Sequence, residues 1–502
     1  MPTFWTHFTS AHPQITVLVT EGSRILFSGD ERLLAERRST DPVHDLEGAF
    51  VTPGLWDSHI HLLDYGRSFR RLNFSPDDTL DEVAQAVRER AHCLPAGQWI
   101  LGAGWNRVRF SEPPRAEVLD RLAPGHPVLL MSWDYHTAWL NRVALERLGF
   151  SLSDAPGDRD VHGRWTGIIR EAEAFSAQER AMAQDDTEPQ EDLARGMREA
   201  AKLGLTGVTT IENGRGLAAL MAGPRVLRAG VFLRADHASS LLDLGMRAGF
   251  GDEWVRILGI KWFLDGALGS GTAWLKEPYC DDGKNYGIDA RPHKNLEAEA
   301  ARLHEAGLLL AVHAIGDRAV EEAQRALAHA PALGDGQRSR IEHAQLIADE
   351  DLDAISESDT ALSMQPVHLM VDRAIAERKW GARRSRAAFR FRDIVDRGIP
   401  LVFGSDAPVA SPNPILGLWA AVHQAAPGES AWHPEQALTP DEALAAYTRT
   451  PALIDGRPAG VLAPGYLSDL TLWDGDPRVA LIHSDFDGLR VRGTVVGGAR
   501  IG

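Results

Sequence analysis

The 502-residue chain has only two cysteines, Cys93 and Cys280. Two thiols cannot build a disulfide framework, and the count fits a reducing compartment. No run of about 18 apolar residues occurs, so no segment is expected to span a membrane. Basic residues are scarce: 53 Lys and Arg face 70 Asp and Glu, for a formal net charge of −17. Such a surface repels phosphate backbones and anionic lipid heads, which argues against a nucleic-acid or membrane partner. The opening MPTFWTHFTSAHPQ has neither a basic n-region nor an apolar h-region, so a cytoplasmic setting is expected. Fixed-period repeats and low-complexity tracts are missing. So are a G-x-S-x-G elbow and an H-E-x-x-H helix, which argues against a serine hydrolase or a zincin. GALGSG (Gly266 to Gly271) lacks the Lys-Ser/Thr that would follow in a phosphate loop and reads as a tight turn lining a pocket.

What the chain does have is an ordinary globular composition, 44% hydrophobic and 25% charged, with a regular alternation of elements. Eight apolar runs read as strands: VTPGLWDSHIHL, LTGVTTIE, VFLRAD, ILGIKWFL, LLLAVHAIG, RSRIEHAQL, TALSMQP and PLVFGSDAP. Helical spacing fills most of the gaps, as in DLARGMREAAKLG and LEAEAARLHEAG. Eight β-α steps predict a closed parallel (β/α)8 barrel over residues 51–454, with an open doubly wound sheet as the alternative. Short β-type runs at both ends predict a small composite β-domain, a β-sandwich built from residues 1–50 and 455–502. The first gap is too long for one crossover and is rich in Trp, Pro and Gly. Residues 67–165 are therefore expected to form an insertion after the first barrel strand, set over the barrel mouth.

In a parallel barrel the C-terminal strand ends face one pocket. Five of the eight runs carry metal-type ligands there. His59 and His61 close the first run, and their i, i+2 spacing points both imidazoles the same way. Lys261 lies on the fourth run, His313 on the fifth, His343 on the sixth and Asp406 on the eighth. Each alone has an ordinary structural explanation, a hydrogen-bonded core histidine or, for Lys261, an ion pair with Asp265. Together, nitrogen and carboxylate ligands converging in a cleft suit Zn²⁺ or a similar divalent ion.

VTPGLWDSHIHL, GIKWFLDGALGSGTA, VHAIGD, RIEHAQ and FGSDAPV resemble the metal-dependent amidohydrolase superfamily, and more narrowly its YtcJ-like branch, which includes N-substituted formamide deformylases. The resemblance extends over nearly the whole chain. It implies that His59 and His61 bind the more buried of two metals, and that Lys261, as a carbamate formed with CO2, bridges the pair. It implies that His313 and His343 hold the second metal and that Asp406 ligates the first and shuttles protons. A bound cation lowers the pKa of water from about 15.7 toward 7, which supplies a nucleophile at neutral pH. The resemblance thus implies a hydrolase of amide, formamide or cyclic amide C–N bonds. A lactone, carbamate or phosphoester at the same site is the alternative, as is a non-catalytic regulatory protein on the same fold.

Asp134 and His136, in DYHTAWLN together with Asn141, are candidate substrate contacts, as are Asp265, Gln365 and His368. Trp99, Trp105, Trp133 and Trp139 suggest a small, largely uncharged substrate with an apolar or aromatic portion, although core packing explains tryptophans equally well. The expected partner is that small molecule, with a homodimer left open.

Overall fold

The computed structural model describes residues 2–501 except 76, 134–136, 185–188 and 335. Asp134 and His136 thus lie outside the described residues. The chain divides into two compact units, residues 66–188 and the remainder.

The larger unit is built on eight parallel strands: β1 (Leu55–Ile60), β2 (Leu205–Glu212), β3 (Arg228–Arg234), β4 (Val255–Phe263), β5 (Leu309–Ala314), β6 (Arg340–His343), β7 (Ala361–Met364) and β8 (Leu401–Phe403). They lie side by side in chain order, each hydrogen-bonded in parallel to the next. All eight are the runs read from the sequence. Every residue of β1, β2, β6, β7 and β8 is buried, because a parallel sheet is covered on both faces. This is why the strands read as continuous apolar runs and not as alternating ones.

Closure rules out the open sheet. Just past β8, the amides of Ser405 and Asp406 donate to the His59 carbonyl at 3.2 and 2.7 Å, and His61 donates to the Ala407 carbonyl at 2.9 Å. Gly404 permits this approach, since a Cβ there would lie 2.5 Å from the His59 nitrogen. Asp57 reinforces the seam by accepting from the Ser405 hydroxyl at 2.6 Å and its amide at 3.0 Å.

Strands from both ends of the chain form two further sheets. One orders Arg24–Gly29, Val17–Glu21, Thr3–Thr6 and Val43–Asp45. The other orders Thr9–Ser10, Phe50–Pro53, Leu470–Trp473, Val491–Val496 and Ala499–Ile501. Trp5, Leu18, Leu46, Val51, Leu470 and Val495 share one core between them. A bidentate pair ties this region to the barrel. The fully buried Arg228 donates to both Asp469 oxygens, at 2.6 and 3.1 Å.

The smaller unit, residues 66–188, carries its own five-stranded sheet, in the order Ile168–Arg170, Thr137–Leu140, Val128–Ser132, Ile100–Trp105 and Leu72–Asn73. It runs past the expected limit at 165 because Ile168–Arg170 adds an edge strand beside Thr137–Leu140. Trp99, Trp105 and Trp139 sit in its two hydrophobic cores; of the four tryptophans considered for substrate contact, only Trp133 is exposed, at 54%. The packing explanation therefore holds for three of the four. Asn141 is structural as well: it caps the helix Arg142–Arg147, accepts from Val128 and donates to the His126 carbonyl.

Candidate metal centre

Strand periodicity brings the candidate ligands together. His59 on β1 and His61 just past its end point to one side, and Asp406 Oδ1 lies 3.4 Å from His59 Nε2 and 3.3 Å from His61 Nε2. One ligand atom from each of His59, His343 and Asp406 lies within 4.8 Å of the others, and all three residues are buried. The His343 ring centre is 4.8 Å from that of His59 and 4.5 Å from that of His313.

Two of these side chains depend on unusual backbone. His343 has φ 70° and Asp406 φ 61°, in the left-handed region that side chains with a Cβ avoid. Arg340 and Glu342 occupy one face of β6, so regular alternation would send His343 the opposite way. The left-handed turn at the strand end brings its ring against His59 and His313 instead. Strain of about 1–3 kcal/mol per such residue is typical of functional sites and persists only where the surroundings impose it.

The remaining nitrogens of three imidazoles are engaged. His59 Nδ1 donates to Glu342 at 2.5 Å, His343 Nδ1 to Gln365 Oε1 at 2.7 Å, and His313 Nε2 to the Gly266 carbonyl at 2.9 Å. Metal-ligating histidines are held in this way, with one nitrogen hydrogen-bonded and the other free to carry a lone pair. Burial, with His313 and His59 beside it, keeps His343 well below the usual imidazole range and so neutral. Burial works against the Asp406 anion, but hydrogen bonds from His59 and His61 outweigh it and hold Asp406 well below the usual carboxylate range. Lys261 is fully buried and its Nζ has no hydrogen-bond partner. Burial lowers its pKa to about 8, against the opposing pull of Glu342 and Asp406. A donor set of imidazoles and a carboxylate fits a divalent cation.

Asp265 does not pair with Lys261. Its carboxylate accepts from the amides of Trp274, Ile315 and Gly316 at 2.9–3.2 Å and lies 3.3 Å from His313 Nε2. It anchors the loops after β4 and β5. Gln365 likewise spends its oxygen on His343, while its Nε2 is buried without a partner. His368 stacks near-parallel to His343 at 6.4 Å, with a buried, unpartnered Nε2. Sequence reasoning missed Glu342, Arg340 and Asp57. Glu342 adjoins His343 in RIEHAQ, but nothing local reveals that it reaches across the barrel to β1.

A family model described as the amidohydrolase family matches residues 42–501. The chain belongs to the amidohydrolase family. YtcJ of Bacillus subtilis (strain 168) is 29% identical over 475 residues, covering 90% of this chain and 89% of that protein. The N-substituted formamide deformylase of Arthrobacter pascens is 27% identical over 509 residues, covering 92% and 90%. The crystal structure of an uncharacterized metal-dependent hydrolase from Pyrococcus furiosus superposes with a TM-score of 0.83 at 26% identity, covering 95% of this chain and 100% of that one. Within this amidohydrolase His59, His61 and His343 gather about Asp406, with His313 beside His343, at the C-terminal mouth of the barrel, where barrel enzymes carry their chemistry.

Proposed function

We propose that this amidohydrolase hydrolyses C–N bonds in small, largely uncharged amides, formamides or cyclic amides, with zinc as its cofactor at two ions per chain. The reading rests on the convergence of His59, His343 and Asp406 within 4.8 Å at the barrel mouth. His59, His61 and Asp406 would hold one ion, His313 and His343 the other, and Lys261, carboxylated by CO2, would bridge them. The bound cations would supply Lewis acidity toward the substrate carbonyl and toward water. The protein's own work is proton handling. Asp406 is ionised and half-enclosed by imidazoles, so it can take the proton of the attacking water and deliver it to the departing nitrogen. An amine leaves poorly until it is protonated, and this transfer removes that obstacle.

Gln365 Nε2 is a buried donor without a partner and His368 Nε2 a buried ring nitrogen without one, and both are suited to orient polar atoms of a substrate. Phe263 at the end of β4, its ring 5.3 Å from that of His313, exposes apolar surface, which supports an uncharged substrate with an apolar part. The formamide deformylase relative supports C–N cleavage as the reaction class. The test is a panel of N-acyl amines, formamides, cyclic amides and lactones offered to zinc-loaded protein. Turnover of neutral amides or formamides is expected. A preference for lactones or for acidic N-acyl amino acids would overturn the substrate assignment.

A further inference from the structure

A line of buried charge runs through the barrel interior to the metal centre. Asp455, whose carboxylate accepts from the Thr209 hydroxyl at 3.1 Å, lies 3.9 Å from Arg340 Nη1. Arg340 is 1% exposed, stacks over the Phe232 ring at 4.6 Å, and places Nε 3.0 Å from Glu342 Oε1. The other Glu342 oxygen meets His59 Nδ1 at 2.5 Å. One Glu342 oxygen thus faces His59 and the other faces Arg340.

We infer that Glu342, braced by Arg340, is the positioning residue that sets the tautomer and ring orientation of His59. This rests on the reading of His59 as a metal ligand. An ionised carboxylate only accepts hydrogen bonds, so Glu342 fixes a proton on Nδ1, and a metal held by this ring would be met by Nε2, the atom that faces Asp406. A free neutral imidazole prefers the opposite tautomer, with hydrogen on Nε2, where it would block coordination. The Arg340 guanidinium, 3.0 Å away as an ion pair and without a hydrogen bond of its own, holds the Glu342 carboxylate by charge. The two residues share a face of β6 by their i, i+2 spacing, so one strand supplies both the brace and the acceptor. The rival explanation is that Glu342 merely neutralises a buried arginine. That role would be dispensable, because well-packed apolar residues usually replace a buried ion pair without loss.

The experiment uses the full-length chain, stripped with chelator and reloaded with zinc. The zinc dissociation constant is measured by competition with a chromophoric chelator for wild type, Glu342→Gln and the double variant Arg340→Met/Glu342→Leu. The nitrogen-15 spectrum of histidine-labelled, zinc-loaded wild type is recorded, with His59 assigned by its loss in His59→Asn. Both variants should bind zinc about 10–100-fold more weakly, the usual effect of losing a partner behind a ligand. The wild-type spectrum should show His59 protonated at Nδ1 and metallated at Nε2. Wild-type affinity in either folded variant would overturn the inference, and so would a wild-type His59 metallated at Nδ1, a result that needs no variant to fold. Zinc binding left unchanged by His59→Asn would instead refute the metal-centre reading itself.

Discussion

Replacing Lys261 by Met removes a buried amine while keeping a long apolar stem of similar volume. The wild-type amine has no hydrogen-bond partner, and burial takes its pKa from 10.5 to about 8. At pH 7 that shift raises the neutral, nucleophilic fraction from roughly 0.03% to roughly 9%, about 300-fold. The neutral amine attacks the carbon of CO2, forms a C–N bond and releases its proton, leaving a carbamate anion with two oxygens. Two cations beside it would stabilise that anion, and the anion would hold the cations together. The assay is carbon-13 NMR of protein reloaded with zinc in labelled bicarbonate. Wild type should show one carbamate carbon, absent from Lys261→Met, and zinc content should fall from about two ions per chain to one or fewer in the variant. In zinc-free protein at fixed dissolved CO2, the carboxylation rate should rise nearly tenfold per pH unit below pH 8 and level off above it, as the ammonium gives up its proton. A short-chain carboxylic acid added to Lys261→Ala should restore part of the zinc and the turnover by occupying the vacated space. An unmodified Lys261 in fully metallated, active protein would refute the reasoning.

Three further outcomes follow. Asp406→Asn should keep the fold and lose roughly 10²-fold or more in kcat, the usual loss when a proton-transfer group is removed; near-normal turnover would move the proton shuttle elsewhere. Gly404→Ala would put a Cβ 2.5 Å from the His59 nitrogen and force the β1–β8 seam apart. A loss of about 1–3 kcal/mol in stability is expected, with weaker zinc binding, and an unchanged Tm would show that the seam yields freely. Asp469→Ala would remove the bidentate partner of the buried Arg228, leave it only Glu253 at 3.2 Å, and lower stability by on the order of 3 kcal/mol, whereas Arg228→Met with Asp469→Leu should be close to neutral. Thermal unfolding of the pair distinguishes a geometric tie from a net source of stability.

Much of this molecule was legible because its signals are local and periodic. The eight barrel strands are apolar runs of the right length. The i, i+2 spacing of His59 and His61 determines that both rings face Asp406, and ligand-type residues recur at five strand ends. What the sequence could not decide depends on groups hundreds of residues apart meeting in a dry interior. Glu342 faces His59 only because closure of the barrel carries β6 across from β1. His343 and Asp406 turn inward only because the strand ends hold them at positive φ, which no alternation rule predicts. Asp265 has the composition of a substrate or lysine partner, yet three backbone amides claim it once the loops after β4 and β5 pack together. Residues 67–165 read as an insertion rich in Trp, Pro and Gly, but only the fold shows short strands pairing into a sheet whose two cores absorb Trp99, Trp105 and Trp139. Residue type and spacing set which chemistry was available to this chain. Burial, which strips water from charges and leaves each one to find a protein partner, decided which residues were free to perform it.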